Sequence, residues 1–257
     1  SKDTIILIST CYILHHIFGL INRTSKNKLI SLFLILFYIW IIVKIRSFML
    51  LVIFIPLLIA LAVYLKNKYI DKPFERISLR MLIFAVSTLG FVVFFTSQQA
   101  QDYFNEAAVS NLDMMTNQTY GTNKYDLGIT DYSPIGILLA FPSAVIAGIY
   151  RPFIWESLNV TLILNGFESL LLMFFTIRFF FIKNLKQRIQ FIRKNELLMF
   201  AFAFAIILAY FAGFTSILFG VLVRFKAPVL PFFIVILTAS ASLKIENDRK
   251  KLLNNNE

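Results

Sequence analysis

The chain is poor in the side chains on which metal and thiol chemistry rest, with one cysteine and two histidines among 257 residues. A lone Cys11 excludes an intramolecular disulfide, a cysteine zinc cluster and a dithiol redox pair, and its place inside an apolar run marks it as a small core residue. His15 and His16 are adjacent. Neighbours on a helix point about 100° apart, so they cannot share a metal as an i, i+4 pair does. No metal or cofactor is expected. There is also no phosphate-cradling P-loop, no dinucleotide fingerprint and no G-x-S-x-G elbow, so ATP-driven work would need another subunit.

Acids are scarce too: 14 stand against 25 Lys and Arg, for a formal net charge of +11. The basic residues fall in short segments beside apolar runs, which is the pattern of membrane orientation and not of nucleic-acid binding. No nucleic-acid partner is expected.

What is abundant is hydrocarbon, at 58% hydrophobic residues with 29 Phe, where soluble domains run at roughly 45–50%. A helical span takes about 20 apolar residues, and several windows qualify, while the strict alternation of a membrane barrel is missing. The expected fold is therefore all-α, one polytopic bundle over residues 1–257 embedded in a lipid bilayer. Seven spans are expected, at 5–21, 29–43, 47–65, 79–95, 158–182, 197–214 and 228–243, with an outer loop at 97–157. The chain starts at Ser1 without Met and enters its first apolar run at once, so it is expected to be the C-terminal part of a longer chain.

Lys and Arg are retained on the cytoplasmic side of a membrane. Arg23 to Lys28, Lys66 to Arg80, Lys183 to Lys194 and the tail from Lys244 carry most of the positive charge, so these connections and the C-terminus are assigned to the cytoplasm. The opposite connection, 97–132, holds Asp102, Glu106, Asp113, Asp126 and Asp131 against one Lys124. "SPIGILLAFPSAVIAGIY" (Ser133 to Tyr150) is apolar enough to enter lipid but carries Pro134 and Pro142. A full crossing there would carry Lys183 to Lys194 outside, so the stretch is expected to be a re-entrant or interfacial pair of short helices on the outer side. Broken backbone at that depth needs protein or a wet cavity to cover it.

Five cations oppose the sidedness rule: Lys44 and Arg46 in the first outer hairpin, Arg151 beyond the broken segment, and Arg224 and Lys226 in the last outer turn. An unpaired charge at mid-bilayer costs on the order of 2.5–3.5 kcal/mol. A bound anion, met by side chains from three hairpins, would offset that, and Arg is the side chain that grips phosphate with a planar fork. The plainer reading pairs Arg151 with Glu156 across one turn. Glu168, with Asn165 three residues before it, lies inside the fifth span and is a second polar site to be explained.

Two turns carry a resemblance. "RFKAPVLPF" and "GIYRPFIWES" resemble turns in polytopic membrane proteins of bacterial exopolysaccharide and O-antigen clusters, either O-antigen polymerase-like or using polyprenyl-phosphate sugars. The resemblance implies a bacterial inner-membrane protein with an outer-face cavity for a polyprenyl-pyrophosphate-linked glycan, working beside other envelope-assembly proteins. It further implies Arg46, Arg151, Arg224 and Lys226 as phosphate-gripping residues, Asp126, Asp131 or Glu156 as general base, and Trp155 as a sugar-stacking platform. A transporter or flippase, or a non-catalytic assembly subunit, are the alternatives.

Overall fold

A computed structural model describes residues 2–22, 27–46, 48–69, 98–117, 124–128, 133–156, 159–181 and 185–239. The fold is all-α. In chain order the helices are α1 (Lys2–Ile21), α2 (Lys28–Ile45), α3 (Met49–Tyr69), α4 (Gln98–Thr116), α5 (Pro134–Leu139), α6 (Phe141–Tyr150), α7 (Val160–Phe181), α8 (Leu185–Lys194), α9 (Glu196–Thr215), α10 (Phe219–Lys226) and α11 (Val229–Ala239), with a 3₁₀ turn at Ile154–Glu156.

Five of these, α1, α2, α3, α7 and α9, are long and apolar enough to cross a membrane, and a sixth span results if α10 and α11 count as one. This is the architecture of an integral membrane protein. The sequence-based count of seven is not reached among the described residues: the span expected at 79–95 lies outside them, and that expected at 228–243 is half of a broken pair. Its two pieces meet at 55°. The break falls at Ala227–Pro228, where a proline without an N–H cannot continue the ladder of α10 but can start a helix.

α9 is the centre of the bundle. Of its apolar window 67% is buried, against 17% for α2, whose Leu29, Phe33, Leu36 and Trp40 stand exposed as a lipid-facing surface would. α1 pairs with α2, while α3 and α6 flank α9. The core runs through Phe200, Phe204, Leu208, Phe211 and Phe214 of α9, with Phe204 meeting Phe232 of α11 at 4.7 Å between ring centroids.

α6 lies on α9 backbone to backbone. Ala144 and Gly148 on one helix face Ala209 and Gly213 on the other, each pair spaced by four. Cβ atoms built at Gly148 and Gly213 would lie 2.0 Å from the Ala209 carbonyl oxygen and 1.9 Å from that of Ala144. Small residues at this spacing are what let membrane helices approach without a hydrophobic driving force between them.

Two short helices do occupy the stretch after Ser133. Its hydroxyl accepts from the Gly136 N–H at 3.2 Å and caps α5, which has Pro134 in its first turn. The Tyr210 hydroxyl donates to the Ile137 carbonyl at 3.1 Å, so α9 satisfies backbone that lipid could not. Cys11 departs from expectation: it faces outward from α1 and is no core residue.

The contacts sort the helix ends into two groups. At one end Tyr64 of α3 reaches the Ile21 carbonyl at 3.4 Å, and Asn67 reaches that of Lys194 at 2.6 Å. Toward the other lie Asp3, Arg46, Tyr125, Arg151 and α10.

Candidate functional site: cations gathered around α10

The segment 124–128 runs antiparallel to the α9–α10 junction, with Lys124 bridging Leu218 and the Tyr125 N–H donating to the Ile217 carbonyl at 3.0 Å. Tyr125 is buried. Its hydroxyl donates to the Gly213 carbonyl at 3.1 Å, one of the last carbonyls of α9, and its ring stacks on Phe219 at 5.3 Å. Burial, more than any neighbour, pushes the Tyr125 phenol far above its usual range; Arg151 opposes this and Glu156 adds to it.

Arg151 follows α6. Its Nε lies 3.4 Å from Oε1 of Glu156, its Nη1 donates to the Asp126 carbonyl at 3.4 Å, and its guanidinium covers the Tyr125 ring at 4.6 Å. The second oxygen of Glu156 accepts from the Phe153 N–H at 3.1 Å. Arg151 and Glu156 are therefore partners across a turn that each helps to hold. Glu156 is committed to two donors, which is an unpromising state for a general base. Asp126 is exposed, and its Oδ1 accepts from Gly128, whose φ is 69°. Trp155 stands 71% exposed, stacked on Phe153 at 4.8 Å. Asp131 lies outside the described residues.

At the far end of α10 the connection between α2 and α3 meets the end of α10 that leads into α11. Arg46 lies 3.9 Å above the ring of Phe225, and its Nη1 is 3.1 Å from Oδ1 of the buried Asp3. The residues on either side of Phe225 go opposite ways. Arg224 is exposed, and no described residue partners its side chain. Lys226 is only 2% exposed; its Nζ donates to the Ser169 hydroxyl at 2.7 Å and lies 3.8 Å from Oε1 of Glu168. Ser169 is nine residues into α7, about 13 Å along its axis, so Lys226 meets α7 well within its apolar length. Asn165 does not join Glu168: its amide donates to the Thr161 carbonyl at 2.7 Å.

Arg46 thus covers the ring of Phe225, whose sequence neighbours Arg224 and Lys226 turn to the surface and to the interior. Arg151 stands at the other end of α10, joined to it through Tyr125 and Phe219, and eight helical residues separate the two groups by about 10 Å. Lys44 is exposed and Lys124 is spent elsewhere, donating to the Met114 and Met115 carbonyls that end α4.

Sequence reasoning had no means to find Asp3, Ser169 or Tyr125 as partners, since each is brought in from a distant part of the chain by helix packing. No family model, curated protein or solved structure matches this chain.

Proposed function

We propose that this is a membrane component of bacterial surface-polysaccharide assembly that holds the pyrophosphate of a polyprenyl-linked glycan on the extracytoplasmic side. The observation that carries the reading is Arg46 stacked on Phe225 beside the exposed Arg224. An Arg fixed by an aromatic ring and a carboxylate, next to an Arg with no partner among the described residues, makes a fork for a second anion. Lys226 is turned inward to Ser169, and Arg151, joined through Tyr125 and Phe219 to the other end of α10, stands where an attached sugar would extend, with Trp155 exposed nearby in sequence. Held in this way, the pyrophosphate's charge would be neutralised as it leaves during transfer of the glycan.

The test is equilibrium binding of a polyprenyl pyrophosphate to the full chain in phosphatidylcholine nanodiscs, with the neutral polyprenol as comparison. Arg224→Gln should weaken pyrophosphate binding at least about tenfold, the worth of one charge-assisted contact, while leaving the polyprenol unchanged. Equal affinity in wild type and R224Q would sink the reading.

A second reading is favoured by the Lys226–Glu168 contact, a buried ammonium beside a half-exposed carboxylate on an apolar helix, since charged groups on such helices also mark transport pathways. Substrate flux into proteoliposomes that fails in Glu168→Gln while pyrophosphate binding persists would move the assignment to transport.

A further inference from the structure

The two ends of the bundle treat their cations differently. Around α10, Arg46, Arg151 and Lys226 each face a carboxylate, while Arg224 and Lys44 are exposed with no described carboxylate beside them. At the opposite end Lys186, Arg193 and Lys194 of α8 are exposed, and no described carboxylate pairs with them; Glu196, nearest in sequence, forms no ion pair with any of the three. From these three exposed cations on one short helix we infer that α8, where it meets the end of α3, forms a site for the headgroups of anionic phospholipids.

α8 is amphipathic, but its apolar side is already used. Ile192 is buried in the core, Leu185 and Phe191 pack against it, and the buried Arg188 lies 5.8 Å from the ring of Phe179. Of its apolar side chains Ile189 alone stays exposed, at 40%, among Lys186, Gln187, Gln190, Arg193 and Lys194, so the helix has chiefly polar and charged groups left to offer. It is also held in place: Asn67 of α3 donates to the Lys194 carbonyl, which fixes the end of α8 against the end of α3. Asn195 then caps α9 by accepting from Leu197 and Leu198 at 3.0 and 3.1 Å. α3 ends and α9 begins at this level, so the cluster lies where hydrocarbon gives way to headgroups. A fixed row of cations at that depth is complementary to lipid phosphates, each basic residue near such a surface contributing about 1 kcal/mol.

The experiment measures retention of phosphatidylglycerol and phosphatidylcholine on the full chain, by native mass spectrometry from mixed nanodiscs. Wild type should retain phosphatidylglycerol selectively, and Arg193→Gln with Lys194→Gln should lower its affinity on the order of thirtyfold, two such contributions. The charge-matched control, Lys2→Gln with Lys44→Gln, removes exposed cations from the other group of helix ends and should retain selectivity. Arg193→Lys with Lys194→Arg keeps the charge and should keep the lipid, which separates lost binding from lost folding. Equal losses in both Gln doubles, or none in either, would overturn the inference. So would displacement of the lipid by soluble glycerol phosphate, which would make this a site for a free phosphate.

Discussion

Gly148 and Ala209 meet with no room between them: a methyl group on Gly148 would lie 2.0 Å from the Ala209 carbonyl oxygen. Gly213 stands in the same relation to Ala144, at 1.9 Å. Both obstacles are helix backbone, which cannot swing aside as a side chain does. This double contact lays the short helix α6 on the central helix α9, and so positions Arg151, the residue that follows α6.

Replacing either glycine by alanine should force α6 and α9 apart and cost at least about 2 kcal/mol, toward the upper range of overpacking. Gly220 in α10 is the control, because nothing lies within 4 Å of a Cβ placed there. G220A should be neutral or stabilising by up to about 1 kcal/mol through helix propensity. Unfolding midpoints in mixed micelles separate the three variants, and equal midpoints would refute the close-contact account.

The helix ladder was legible in the sequence because lipid imposes length and composition directly: α2 was expected at 29–43 and runs over Lys28–Ile45. Pro134 and Pro142 gave away a pair of short helices, and the five-residue spacing of Arg151 and Glu156 allowed their pairing. The partners of Arg46 and Lys226 were illegible. Asp3 is 43 positions from Arg46 and Ser169 is 57 from Lys226, and no local period reports which helices neighbour which. The sequence also treated Arg224 and Lys226 alike, whereas helix rotation turns one to the surface and the other inward. Cys11 misled for a related reason: in a membrane bundle an apolar neighbourhood marks a lipid-facing surface as readily as a core.

Tyr125 makes a pH-dependent contribution whose sign can be worked out. Its folded phenol is raised well above the ordinary value of 10.0 by burial, so the unfolded chain ionises first. Stability from this group is complete below about pH 10 and falls as pH rises toward the folded value. Tyr125→Phe should lower stability at neutral pH by about 1–2 kcal/mol, leaving the Gly213 carbonyl without its donor, yet flatten the loss above pH 10. Parallel alkaline unfolding curves for wild type and Y125F would contradict this.

Arg151 and Glu156 should couple only modestly. Both side chains are about a fifth exposed and the closest approach is 3.4 Å, so solvent screens the pair and a double-mutant cycle of Arg151→Gln with Glu156→Gln should return about 1 kcal/mol or less. Arg151→Lys should nonetheless cost more than that coupling, since it also loses the planar contact with Tyr125. Thermal or denaturant unfolding of the four proteins and R151K decides it; an R151K protein as stable as wild type would show the stacking to be idle.

Lys226 and Glu168 are unequal partners, and the inequality sets the order of the last two variants. The Lys226 side chain is 3% exposed and that of Glu168 is 43% exposed. Glu168→Gln leaves an ammonium group buried with the Ser169 hydroxyl as its recorded polar contact, whereas Lys226→Met removes the buried charge and leaves a carboxylate that is already half open. Breaking a buried pair from the exposed side is therefore the more damaging change. E168Q should lose about 1–3 kcal/mol, discounted for the long contact and the openness of the acid, and K226M less. The double variant should resemble K226M, because Glu168 has no further part to play once the ammonium is gone. Unfolding in detergent gives all three values. A K226M protein less stable than E168Q would mean that the Lys226–Ser169 hydrogen bond, and not relief of a buried charge, is what holds α10 against α7.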